Sequence, residues 1–470
     1  MSARLWWRRP LDRSFLMIGG LAALAGLGQW LTPPAPPTPQ TVVVPISSLA
    51  LVCPALPADS DGFEVIAKGA LTDGRGAARV EVQTARRSFG PIRDAEVRAT
   101  GIRRSGAVVY TAEGTSAPKL VADASIVGTS RATRGYATYA CQPPSTSQWL
   151  VGGGSTSGRT SVLSIANVEA TPATIDVEAW TELGKSGSRL LTGVEIPPYS
   201  RRQVTLAQLE PGRRMFALHV TATSGQVTSA IFDRAQQALV SVGADVVSAV
   251  SAPLASSVVG VLPNGSTGAV LGVLSPGTAT SVRVALITSD GTYSLAGAEN
   301  LAIDGDKVTL IPIPDDALTG DVAVQVQADS PVIAGVQSKV YLRGGNDLAS
   351  GPMLAPLYRV ASVTVDATVS LATALLYADV DTVVDISVRT GSRIERSAVT
   401  VRAGQVRRVK LVGGQGETHV LSIAPQVDGM LRGAVLLQRG SAGMVASSVE
   451  PLMSLRGYVT VPPVAPATSR

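Results

Sequence analysis

Two histidines and two cysteines are all that the 470-residue chain offers toward imidazole or thiol chemistry. His219 sits in Phe216-Ala217-Leu218-His219-Val220 and His419 in Glu417-Thr418-His419-Val420. Both stretches alternate apolar and polar residues, so each histidine reads as a structural or surface residue of a strand. A zinc or iron centre, a Cys–His pair or a Ser–His–Asp triad draws on more such side chains than this. Asp379, Asp381 and Asp385 resemble a calcium turn only loosely, because calcium takes about six to eight oxygens. No catalytic residue, metal ligand or cofactor is assigned, and the chain is expected not to be an enzyme.

Gly153-Gly154-Ser155-Thr156-Ser157-Gly158-Arg159-Thr160 lies one substitution from a phosphate loop. That loop needs a Lys where Arg159 stands, and a following helix whose N-terminus holds the anion. Ser161-Val162-Leu163-Ser164-Ile165 instead continues as a strand, so a flexible Gly/Ser connection is expected. Trp149 and Trp180 read as core fillers. The competing reading makes Trp149 an exposed sugar platform, with Gly152, Gly153, Gly154 and Arg159 as the remaining candidate binding residues.

The net charge of +5 comes from 40 Lys+Arg against 35 Asp+Glu. Arg4, Arg8, Arg9 and Arg13 against Asp12 put +3 of it in residues 1–13. No basic stripe with interleaved aromatics follows, which argues against nucleic-acid binding. Phe15 to Leu31 is an uncharged apolar run flanked by Trp6, Trp7 and Trp30. Seventeen helical residues rise about 25 Å, near the lower limit for crossing a bilayer. Arginines on the N-terminal side predict a cytoplasmic N-terminus and an extracytoplasmic remainder. A cleaved signal peptide wants a small-x-small site, where Thr32-Pro33-Pro34-Ala35-Pro36-Pro37 supplies prolines. The expected layout is a basic segment at 1–13, a membrane anchor at 14–31, a Pro-rich spacer at 32–41 and a disordered tail at 456–470. The expected location is the cell membrane, with a single pass through the lipid bilayer.

Between spacer and tail, Val, Ile and Thr alternate with polar residues over short runs bounded by Gly, Pro, Asn and Asp. Asp321-Val322-Ala323-Val324-Gln325-Val326 is one example. The class is all-β. A small residue or Cys near Pro recurs at Cys53, Cys141, Ala252, Ala355 and Glu450, at intervals of 88, 111, 103 and 95 residues. Turn-plus-strand segments keep the same step, beginning at Asn167, Ser275 and Asp379. So do late hairpins expected at Val220–Val227, Val326–Val332 and Ile423–Val427. Repeats of about 100 residues with short strands predict tandem immunoglobulin-like β-sandwich modules at 42–141, 142–252, 253–355 and 356–455. Cys53 and Cys141 open and close the first. In an oxidising compartment they are expected to form a disulfide, with two separate buried thiols as the other reading.

Cys141-Gln142-Pro143-Pro144, Trp149-Leu150-Val151-Gly152-Gly153-Gly154 and Leu163-Ser164-Ile165-Ala166-Asn167, with the N-terminal anchor, resemble an actinobacterial family. Its members are membrane-anchored exported proteins of unknown function, often encoded near cell-envelope glycosyltransferases. The resemblance is clearest over 141–255. It implies an envelope protein that scaffolds or binds an envelope protein or polysaccharide partner, and it carries over no catalytic residue. The alternatives are a carbohydrate-binding array centred on Trp149 and, more remotely, an exported hydrolase using carboxylates alone. Oligomeric state is not legible in the sequence.

Overall fold

A computed structural model describes residues 40–43, 46–55, 62–82, 87–92, 94–100, 106–342, 345–413, 416–441, 444–452 and 458–461. The anchor expected at 14–31 and most of the spacer lie outside these residues. Among the described residues no helix is long and apolar enough to cross a membrane. The chain divides into two compact units, residues 1–45 with 457–470 and residues 46–456. In the first, Gln40–Val43 pairs antiparallel with Tyr458–Val461, Thr41 opposite Thr460. Residues 458–461 of the tail expected to be disordered are thus a strand.

The larger unit is built from strands; among the described residues its one α-helical turn is Leu206–Leu209. Sheets come in pairs, spanning residues 48–140, 147–248, 254–354 and 361–451. The first, second and fourth pairs each hold two separate sheets of four or five strands. In the third, the long strand Val322–Leu342 serves both sheets. Its first half pairs with Thr280–Ile287 and its second half with Ser266–Leu274.

That strand corrects the hairpins expected from sequence. Val326–Val332 contains no turn, and the strand changes sheets across Ser330-Pro331. Phe216–Ser224 and Thr228–Gln237, the corresponding strands of the second pair, also lie in different sheets. The repeated landmark is a crossover between layers, which the alternation of flanking residues alone does not distinguish from a hairpin.

Alternation does place the cores. Ala173–Thr181 buries Ala173, Ile175, Val177 and Ala179 while Thr174, Asp176 and Glu178 stay outside. Cys53, closing the strand Ser48–Cys53, forms a disulfide with Cys141, just beyond Gly135–Ala140. These strands belong to opposite sheets of the first pair, so the bond ties its two layers together.

The four pairs close on one another instead of forming a rod. The last strands of the pairs are Gly135–Ala140, Val240–Ser248, Gly345–Leu354 and Met444–Pro451. Each packs against the next, and the fourth returns to the first. Apolar cores run through these seams. Phe232 of the second pair meets Phe63 of the first edge-on at 5.5 Å, and Ile66, Val127 and Tyr136 of the first join the fourth pair's core.

Open strand edges carry unpaired N–H groups, and buried aspartates from neighbouring pairs accept them. Tyr136 and Ala244 donate their backbone N–H groups to Asp347, at 3.0 and 3.1 Å. Ser350 N–H donates to Asp245. Thr364 donates its N–H and its hydroxyl to Asp123. All three carboxylates bridge residues of different pairs, so they seal edges and seams together.

Candidate functional site

Residues singled out by sequence converge on the seam between the second and third sheet pairs. Strand register sets Trp149 opposite His219 and His219 opposite Glu178. Successive side chains alternate faces, so Ser147, Trp149, His219, Glu178 and Trp180 share one face of their sheet. The third pair packs over part of that face: Trp149 and Trp180 belong to a core containing Val259, Leu271 and Val336. Trp149 is 7% exposed and stacks on His219 at 4.0 Å and on Trp180 at 5.6 Å. Trp180 donates its indole N–H to Asp306 at 3.0 Å. Trp149 is therefore a core filler of the seam, and the sugar-platform reading of it is corrected. A large aromatic on a covered face gains more from burial than from solvent contact.

Beyond the cover lies an arrangement that sequence reasoning missed. Ser147 Oγ lies 2.9 Å from His219 Nε2, and His219 Nδ1 lies 3.8 Å from Glu178 Oε2. Hydroxyl, imidazole and carboxylate thus stand in the order of a hydrolytic triad. Burial lowers the His219 pKa and Glu178 opposes the shift only in part, leaving it below the usual 6.5. Two features loosen the arrangement as chemistry. Glu178 is half exposed and shared with Lys185, and Thr221 Oγ1 also approaches Nε2, at 3.4 Å. The three residues are 31 and 41 positions apart, and only strand pairing brings them together. His419, on another sheet, bonds Thr390 Oγ1 through Nδ1 at 2.7 Å.

At the other end of the seam, the phosphate-loop lookalike is a tight strand connection. Gly152, Gly153 and Gly154 are buried. A Cβ on Gly154 would stand 2.9 Å from the Arg214 carbonyl oxygen and 3.0 Å from Arg159 Cδ, which explains a glycine there. Gly154 N–H donates to Ser161 Oγ at 2.8 Å. Arg159 grips Asp233 with two bonds, Nε to Oδ1 at 3.0 Å and Nη2 to Oδ2 at 2.5 Å. Burial alone would lower the Arg159 pKa, but the Asp233 charge reverses this and raises it. This guanidinium therefore holds a carboxylate of its own chain, where a phosphate-loop cation would face solvent.

Beside this ion pair opens a cleft of about 250 Å3, walled by Arg159, Asp233 and Arg214 from the second pair and by Gln337, Lys339 and Ser350 from the third. Asp379 and Asp381 lie in the fourth pair. Asp379 bonds Tyr377 and Arg432, and Asp381 accepts the Ala403 N–H at 2.7 Å. They serve a strand connection there.

These features define an all-β protein of sandwich-like sheets closed by buried carboxylates. The chain belongs to the DUF5719 family, a family of unknown function, whose profile matches residues 93–412. The match includes the second and third sheet pairs whole. No curated protein matches the chain.

Proposed function

We propose that this is a non-enzymatic protein of the bacterial cell envelope, held by a bilayer anchor at residues 14–31, with its N-terminus cytoplasmic and its remainder extracytoplasmic. Its four sheet pairs act as immunoglobulin-like modules with the boundaries 42–141, 142–252, 253–355 and 356–455. Its role is to scaffold or bind an envelope protein or polysaccharide. The observation that carries the reading is where the buried polar groups go. Asp123, Asp347 and Asp366 accept hydrogen bonds across seams between sheet pairs, so they fix geometry and face no open site. A rigid body with exposed loops suits recognition, and the Cys53–Cys141 bond suits an oxidising compartment.

In-cell crosslinking of the full chain, followed by mass spectrometry, tests the role. One envelope partner recovered reproducibly, with crosslinks mapping to residues 46–456, supports it; recovery of none sinks it. A fluorophosphonate probe tests the absence of enzyme chemistry. No adduct on Ser147 is expected, whereas labelling that disappears in His219→Gln would make the Ser147–His219–Glu178 row a working nucleophile.

A further inference from the structure

We infer that the cleft between the second and third sheet pairs binds a small oxyanion, the carboxylate of a sugar acid or a phosphate group, on a ligand the size of a monosaccharide. The inference rests on the binding reading above and names its ligand class. At about 250 Å3 the cleft falls below the ~300–1,000 Å3 of sites for drug-sized molecules.

Its polar groups are mostly donors. Register sets Val270, Gln337 and Ser350 in one row across three strands of the third pair. Gln337 is 8% exposed, and its buried Nε2 has no hydrogen-bond partner among the described residues. A buried donor left unmade is costly, and an acceptor oxygen on a ligand would satisfy it. Lys339 stands two residues along the same strand and on the same face as Gln337, at the mouth. Lys339 and Arg214 are both exposed, and among the described residues neither side chain has an ion-pair partner. Three acids outside the lining accept backbone N–H groups of lining residues: Glu182 from Arg214 at 3.0 Å, Asp315 from Gly268 at 2.7 Å and Asp245 from Ser350.

Asp233 is matched by Arg159 and adds no net negative charge. The lining therefore keeps an excess of two cations, plus one unsatisfied amide and the Thr156 hydroxyl. Met215 and Leu310 supply apolar wall for the C–H face of a sugar ring. Oxyanions meet such donors with short, charge-assisted hydrogen bonds.

The test is calorimetric titration of the full chain with inorganic phosphate, glucuronate and glucose. Saturable binding of phosphate alone identifies a phosphate site, and binding of glucuronate identifies a sugar-acid site; either supports the inference. Lys339→Glu, at an exposed position, and Gln337→Leu, of similar shape, should each weaken that binding about tenfold or more. Binding of neither anion, glucose binding as tightly as glucuronate, or affinity unchanged in both variants would overturn it. Loss of this ligand leaves the crosslinking result intact, so the two readings fail separately.

Discussion

Asp366, at the seam between the first and fourth sheet pairs, and Asp245, at the seam between the second and third, are both buried, yet their surroundings push them in opposite directions. Burial raises the pKa of Asp366, but Lys68 at 3.5 Å and hydroxyls from Thr368 and Ser125 outweigh it, and the net shift is downward from 3.8. Burial also raises Asp245. There the carboxylates of Asp347 and Asp233 add to the rise, and backbone hydrogen bonds only moderate it. Asp366 is a compensated anion; Asp245 is held toward its protonated form. The same device, a carboxylate accepting across a seam, therefore carries opposite pH signs in one molecule. The stabilisation from Asp366 is present above its unfolded value and is lost as pH falls through its lowered folded value. That from Asp245 is present below pH 3.8 and is lost as pH rises toward its raised folded value.

The sharpest way to break this contrast is Lys68→Met. Removing one member of a buried pair costs about 3–5 kcal/mol, read as a lower denaturant midpoint, and Lys68→Met with Asp366→Leu should recover much of it. A neutral single variant would mean that Lys68 does not compensate Asp366. Trp149→Ala probes the apolar part of the other seam and should cost about 3 kcal/mol or more, with near-ultraviolet dichroism reporting the lost stacking on Trp180. Asp245→Asn keeps an acceptor for Ser350 N–H and removes the titration. It should raise the unfolding midpoint at pH 7, leave it nearly unchanged near pH 4 and flatten the profile between. A midpoint that falls equally at both values would refute the assignment of Asp245. The smallest effect belongs to the seam between the third and fourth pairs, where the exposed Arg408 bonds both oxygens of Asp321 at 2.8 Å. Arg408→Ala should cost about 0.2–1 kcal/mol, less in high salt.

Much of the architecture is legible in the sequence. Alternating Val, Ile and Thr announce half-buried strands because side-chain period and pleat coincide. The Ala173–Thr181 strand and the turn at Asn167 follow from that local rule, and Trp149 reads as a core filler from the size of its ring. The Cys53–Cys141 bond followed from the cysteine count and the expected oxidising compartment. Arg159 was singled out for its resemblance to a phosphate-loop cation, and it does line the cleft, but its charge is matched by Asp233, 74 residues away. The Ser147–His219–Glu178 row was invisible for the same reason: pairing register is a relation between distant segments. A crossover also looks like a hairpin when only flanking residues are read.

The amino-acid sequence by itself determined the all-β class, the repeat near 100 residues and the disulfide, since each depends on local pattern, spacing or residue count. Tertiary structure alone decided that the sheet pairs close on themselves, that their edge N–H groups are capped by aspartates of neighbouring pairs, and that a donor-rich cleft opens at one seam. Those outcomes depend on which buried faces meet. A carboxylate's partner across a seam leaves no periodic trace in either strand that supplies it.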